Sequence, residues 1–166
     1  IFGSSFADTI SGGAAAETLW GSGGANSLSG GGGNDLISGG SANETLAGGS
    51  DADTLYGNGG ADSYAGGDGA DHLYAGSGAD TLDGGAGNDS IYGNGGTDSL
   101  SGGDGDDNLS AYGSADAARF DGGAGRDVMH GSNGADTMSG GADADTLYGN
   151  EGAGSLDGGT GNDQLF

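Results

Sequence analysis

The chain has 166 residues, 45 of them glycine, with no proline or cysteine, and carries a net charge of −23. So negative a field excludes nucleic acid and anionic membrane as partners, since both are held by Lys and Arg, and here only Arg119 and Arg126 are cationic. It favours multivalent cations instead.

The absence of cysteine excludes a disulfide scaffold and a thiolate metal site. The donors left, carboxylates and backbone carbonyls, are hard-oxygen ligands of the kind calcium takes. No apolar run is long enough for membrane insertion. High charge with low hydrophobicity would point to disorder, and unperiodic glycine-rich sequence to a flexible linker. A strict period argues against both.

A large apolar residue recurs at Ile10, Leu19, Leu28, Ile37, Leu46, Leu55, Tyr64, Leu73, Leu82, Ile91, Leu100 and Leu109, always nine apart. The next is Phe120, eleven on, followed by Met129, Met138, Leu147, Leu156 and Leu165 at nine again. Each sits in a predicted three-residue strand, such as Thr54 to Tyr56 or Ser99 to Ser101, with the apolar residue facing one way and its neighbours the other. The glycine-rich sextets between strands are predicted turns. A three-residue strand buries nothing alone, so the units are expected to stack as coils.

The residue after each apolar one reveals a longer period. In one series it is Trp20, Ser38, Tyr56, Tyr74, Tyr92, Ser110, His130, Tyr148 and Phe166; in the alternate series it is always small or acidic, from Ser11 to Asp157. The structural repeat is therefore eighteen residues, two strands and two turns per coil. The expected fold is all-β: a right-handed parallel β-roll solenoid of about nine coils, roughly 43 Å long at ~4.8 Å per coil. We expect one domain over residues 1–166, with a surface bulge at the insertion around 110–118.

The acids fall on the two edges of this roll. One edge carries Glu17, Asp35, Asp53, Asp71, Asp89, Asp107, Asp127, Asp145 and Asp163. Every turn leading to them begins Gly-Gly, and six read Gly-Gly-x-Gly-x-Asp in full, as in Gly84 to Asp89. Ala15, Asp51 and Asp143 depart from it at the fourth position. The other edge carries Asp8, Asn26, Glu44, Asp62, Asp80, Asp98, Ala118, Asp136 and Gly154, behind turns that mostly begin Gly-Asn or Gly-Ser. Asp116 is a candidate for the acid missing at Ala118. Stacking would set the carboxylates about 5 Å apart, where they repel unless a divalent ion lies between them. Aspartates with glycine-turn carbonyls could supply the six to eight oxygens calcium wants, a set that suits magnesium less well. All these acids except Asp116 are candidate ligands of multiple Ca2+ ions, with a weaker signal on the second edge.

The nonapeptide resembles the repeats-in-toxin (RTX), hemolysin-type calcium-binding family, a likeness covering essentially the whole chain. The resemblance implies a structural module of a secreted, extracellular or cell-surface bacterial protein, exported by type I secretion and folding outside the cell on calcium. No signal peptide is visible at Ile1, so a fragment or module is expected, and the terminal non-repeat segment expected of type I substrates is missing.

His72 and His130 lack a second histidine at ligand spacing and are expected at the surface. No nucleophile–base pair or phosphate loop is evident, so a standalone enzyme is not expected. Alternatives are a surface-layer or adhesin element that self-associates laterally, and an ice-binding face, which the broken Thr/Ser rows disfavour. Neighbouring domains of the parent protein are further candidate partners.

Overall fold

The computed structural model describes residues 1–152 and 154–166. It contains eighteen strands, from β1 (Thr9–Ser11) to β18 (Gln164–Leu165), and no helix among the described residues. Odd-numbered strands form one nine-stranded sheet in chain order and even-numbered strands the other. Every pairing is parallel. Thr81 pairs with Ser63 on one side and Ser99 on the other, each eighteen residues away. The chain thus winds as a β-roll of about nine coils, as the eighteen-residue period predicts.

The strands run longer than the sequence suggests. In the middle of the rod they extend over six residues, as in β7 (Ser63–Asp68), β8 (His72–Ser77), β9 (Thr81–Ala86) and β10 (Ser90–Gly95). Both glycines of the motif therefore belong to the sheet, and the turn shrinks to three residues, such as 87–89. Backbone hydrogen bonding between coils overrides the weak strand propensity of glycine. Within β9, Leu82 and Gly84 face the interior and Thr81, Asp83 and Gly85 do not, as strand alternation requires. The first glycine of each motif thus looks into the roll, beside the core.

That core is one side chain wide per strand. Leu19, Ile37, Leu55, Leu73, Ile91, Leu109, Met129 and Leu147 from one sheet meet Leu28, Leu46, Tyr64, Leu82, Leu100, Phe120 and Met138 from the other. Each fully buried Leu or Ile stabilises by on the order of 2 kcal/mol. Ile10 and Leu156 are partly covered.

The two-residue insertion shifts the register, so that Leu100 pairs with Phe120 and Asn108 with Val128. The extra residues leave the ladder as a surface turn, closed by Ser114 N donating to Ala111 O at 3.2 Å and turned by Gly113 at φ +88°. Tyr112 at its tip is exposed.

Candidate metal centre

Each coil places its acid as the last residue of a turn, immediately before the next strand. The side chain turns inward. The seven first-edge aspartates from Asp35 to Asp145 are all buried, between 1% and 3% exposed, while Glu17 and Asp163 in the end coils are half-buried. Charged groups reach such burial only when something compensates them.

Half of the compensation is visible. One carboxylate oxygen of each aspartate accepts from the backbone N–H of the acid one coil earlier. Glu17 N donates to Asp35 Oδ1 at 2.7 Å, Asp71 N to Asp89 at 2.8 Å, and Asp145 N to Asp163 at 3.1 Å, with every link between them made. This ladder explains why the position prefers aspartate, whose short side chain reaches the neighbouring backbone. Glu44 N donates to Asp62 Oδ1 at 2.8 Å, but both oxygens of Glu44 itself find no donor.

The other oxygen is stranded. Oδ2 of Asp35, Asp53, Asp71, Asp89, Asp107, Asp127 and Asp145 is buried without any hydrogen-bond partner. An unpartnered buried carboxylate oxygen is costly. Each one faces the inward glycine of its own motif. A Cβ built on Gly84 would fall inside 3.0 Å of both Asp89 Oδ2 and the carbonyl oxygen of Gly102 in the next coil. The same pair of oxygens, one carboxylate and one carbonyl from adjacent coils, frames Gly12, Gly30, Gly48, Gly66, Gly102, Gly122 and Gly140. That makes eight such cradles along one edge, each lined by acceptors and kept open by the missing side chain; in the first, Glu17 Oε2 already accepts from Gly13 N at 2.9 Å. The second glycine is constrained differently. Gly85 has φ +106°, and a Cβ there would strike the carbonyl of Gly67, so backbone geometry and stacking both demand glycine.

Burial is the largest influence on these acids. It pushes Asp53, Asp89 and Asp127 up to about 6 and Asp107 up to about 7, with repulsion from acids in neighbouring coils adding to it. Backbone N–H donors pull the other way. Desolvation thus outweighs the carboxylate–carboxylate repulsion that the sequence put first.

On the second edge, Glu44, Asp62, Asp80, Asp98 and Asp136 are equally buried and Asp8 is half-buried. Their surroundings differ. Ser4 N and Oγ both donate to Asp8 Oδ2. Ser132 donates from N to Asp136 Oδ2 at 2.7 Å, and its Oγ lies 2.7 Å from both Asp136 Oδ1 and Asp116 O, which share its one proton. Asp62 Oδ2 meets the Tyr64 hydroxyl at 3.5 Å. Oδ2 of Asp80 and of Asp98 and both oxygens of Glu44 stay without a donor.

Asp116 does not enter the row. It is exposed in the insertion, and the backbone of Ala118 takes the acid's place, donating to Asp136 Oδ1 at 2.8 Å. Asp51 and Asp143 replace a turn glycine yet adopt its left-handed conformation, at φ 76° and 74°, which aspartate tolerates better than most residues. Among the described residues no three His, Cys, Asp or Glu side chains converge. A cation here would draw on backbone carbonyls.

A family model described as the RTX calcium-binding nonapeptide repeat matches residues 2–37, 38–73, 74–109, 112–147 and 148–166. The chain belongs to this RTX repeat family. Its matched segments span nearly the whole roll, leaving out only residues 1, 110 and 111. No curated protein matches the chain in sequence. As an RTX repeat array it is a calcium-binding β-roll module, and the stranded acceptors fit such an ion: a hard divalent cation is what seven donor-less carboxylate oxygens and the facing carbonyls lack.

The outer face of the even-numbered sheet carries stacked rings. The ring centres of Tyr56 and Tyr74 lie 4.8 Å apart and those of Tyr74 and Tyr92 5.0 Å, with nearly parallel planes. His130 stacks on Tyr148 at 4.7 Å, which stacks on Phe166 at 5.0 Å. His130 is thus a member of the aromatic row. His72 is exposed beside it. Ring faces cover one another along the rod, which accounts for the row as a stabilising stack.

Proposed function

We propose that calcium ions sit along the first edge and that the chain folds on binding them. Carboxylate oxygens of Glu17, Asp35, Asp53, Asp71, Asp89, Asp107, Asp127, Asp145 and Asp163 would hold the ions, together with carbonyl oxygens of the glycines one coil on. The observation that carries this reading is the row of buried, donor-less Oδ2 atoms, each beside an inward glycine and a carbonyl of the next coil. A bound divalent cation would supply the compensating charge between coils; the chain's own residues supply the frame. Inward glycines leave the space, the Oδ1–backbone ladder fixes each carboxylate, and the Leu/Ile strip keeps the edge in register.

Because an open chain offers no such frame, binding free energy becomes folding free energy. Without metal the stranded oxygens oppose a roll whose core is only one side chain thick. The protein then serves as a single repeat domain of a secreted or cell-surface bacterial protein, loose where calcium is scarce and set as a rod outside the cell. The RTX family match supports this setting.

Circular dichroism and small-angle scattering during a calcium titration test the reading. Calcium should convert an expanded, largely unstructured chain into a β-rich rod, and chelator should reverse it. A compact β-rod that persists at neutral pH in excess chelator would refute it.

A further inference from the structure

The two edges share a backbone plan but not a fate for the cradle. On the second edge the gap beside Gly57 is filled. The hydroxyl of Tyr64, the one tyrosine in the Leu/Ile core strip, reaches across to it and donates to Ala75 O at 3.0 Å, with Tyr74 O at 3.3 Å and Asp62 Oδ2 at 3.5 Å. Three oxygens of two coils surround one proton-bearing oxygen. A Cβ on Gly57 would collide with that hydroxyl before anything else. One coil further, the inward glycine is replaced by Ala75, fully buried, so a methyl stands in the cradle facing Asp80. At Asp136 the backbone N–H of Ser132 donates to the Oδ2 that would otherwise be stranded.

We infer that the chain closes its second edge to cations with its own groups, the Tyr64 hydroxyl standing where an ion would bridge two coils and the Ala75 methyl blocking the next gap. The inference rests on the proposed first-edge calcium row and makes the rod one-sided. One edge is set by metal and the other by the chain's own side chains. At Gly3 and Gly131 the frame of carboxylate and next-coil carbonyl stays open, and it is Ser4 and Ser132 that take up Asp8 Oδ2 and Asp136 Oδ2. Two further positions depart from full closure. Glu44 keeps both oxygens free beside Gly39, and Asp98 keeps one, but the coil facing it is displaced by the insertion, and no carbonyl of that coil comes within 3.3 Å of a Cβ built on Gly93.

The physical cause is what occupies the cradle, since Asp80 Oδ2 is left without a donor just as the first-edge oxygens are. Where a hydroxyl or methyl occupies the cradle, a cation cannot approach without expelling it. Where the occupant is a hydroxyl, its proton also satisfies part of what the ion would satisfy. This gives Tyr64 a role that packing alone does not explain, since Leu46 and Leu82 flank it in register and leucine would fill the strip.

Counting calcium per folded chain by native mass spectrometry and equilibrium dialysis tests this, with dichroism confirming the fold. The unaltered chain should bind at most nine ions, the eight first-edge cradles and one at Glu44. Ala75→Gly should add one ion by opening the gap at Asp80. Tyr64→Leu should add one by leaving Asp62 Oδ2 and the Ala75 carbonyl without a donor. Ala75→Gly is the milder change and keeps the test decisive if Tyr64→Leu folds poorly. An unchanged count in folded Ala75→Gly, or more than nine ions on the unaltered chain, would overturn the inference. Asp89→Asn separates the two readings. If it loses calcium while Ala75→Gly gains none, the closed edge fails and the first-edge row stands; if the unaltered chain binds none, both fall.

Discussion

Replacing Asp89 by asparagine separates the two things its carboxylate does. Asparagine keeps an oxygen for the Asp71 N–H, now accepted at 2.8 Å, and puts a neutral amide where Oδ2 lies without a donor. Without calcium the charge is a liability. Burial first, then Asp71 and Asp83, push Asp89 from 3.8 to about 6. Two units correspond to roughly 3 kcal/mol, of which the asparagine amide, itself buried beside few acceptors, takes back part, leaving about 1–2 kcal/mol. Asp89→Asn should therefore stabilise the metal-free roll by that amount. In saturating calcium the sign reverses. Losing one ion present at a hundredfold its dissociation constant removes about 2.7 kcal/mol, leaving a net loss of about 0.7–1.7 kcal/mol. The assay is urea denaturation followed by dichroism, in saturating calcium and in chelator with enough sucrose to populate the metal-free fold. Midpoints that shift the same way in both conditions would refute the account of the stranded oxygen.

Gly84→Ala places a methyl inside 3.0 Å of Asp89 Oδ2 and Gly102 O. It should delete one calcium and lower stability by about 1–3 kcal/mol, yet fold, as the second edge does with Ala75; an unchanged ion count in calorimetric titration would contradict this. In chelator, pH acts opposite to ordinary acid denaturation. Carboxyls raised to about 6 (Asp53, Asp80, Asp89, Asp127) and about 7 (Glu44, Asp107) stabilise the fold fully below about pH 4 and lose that contribution as pH rises through 6 to 7. The metal-free chain should gain β-structure on acidification from pH 7.5 to 4.5, and calcium affinity should weaken over the same interval because protons compete for the same oxygens. A dichroism titration that shows loss of structure on acidification would count against it. Tyr74→Ser breaks the ring stack between Tyr56 and Tyr92 and should cost about 1–2 kcal/mol for its two contacts, read as a thermal midpoint shift, with no change in bound calcium.

Much of this was written in the spacing. The nine-residue recurrence from Ile10 to Leu165 specifies which side chains face inward, and the alternation of Tyr56 with Ala65 after the apolar residue doubles that period to eighteen. Inward period plus glycine-rich corners leaves a two-sheet roll as the economical solution, with Glu17 to Asp163 on one edge and Asp8 to Asp136 on the other. Such features are local and repeat, so one dimension suffices to read them.

What separates the edges was not legible there, because it depends on which atom of one coil reaches which atom of the next. That strands run through the glycines follows from pairing between coils. Whether a carboxylate oxygen is stranded, as at Asp89, or served, as at Asp136 by Ser132, turns on a few ångströms of backbone position. The Tyr64 hydroxyl is the sharpest case. In sequence it is one aromatic in a row of leucines, and only the stacked roll brings it to the carbonyl of Ala75, eleven residues away. The sequence alone determined the solenoid, its period and its acidic edges; tertiary structure decided which acceptors are left without donors, because hydrogen bonding between coils is a property of their stacking.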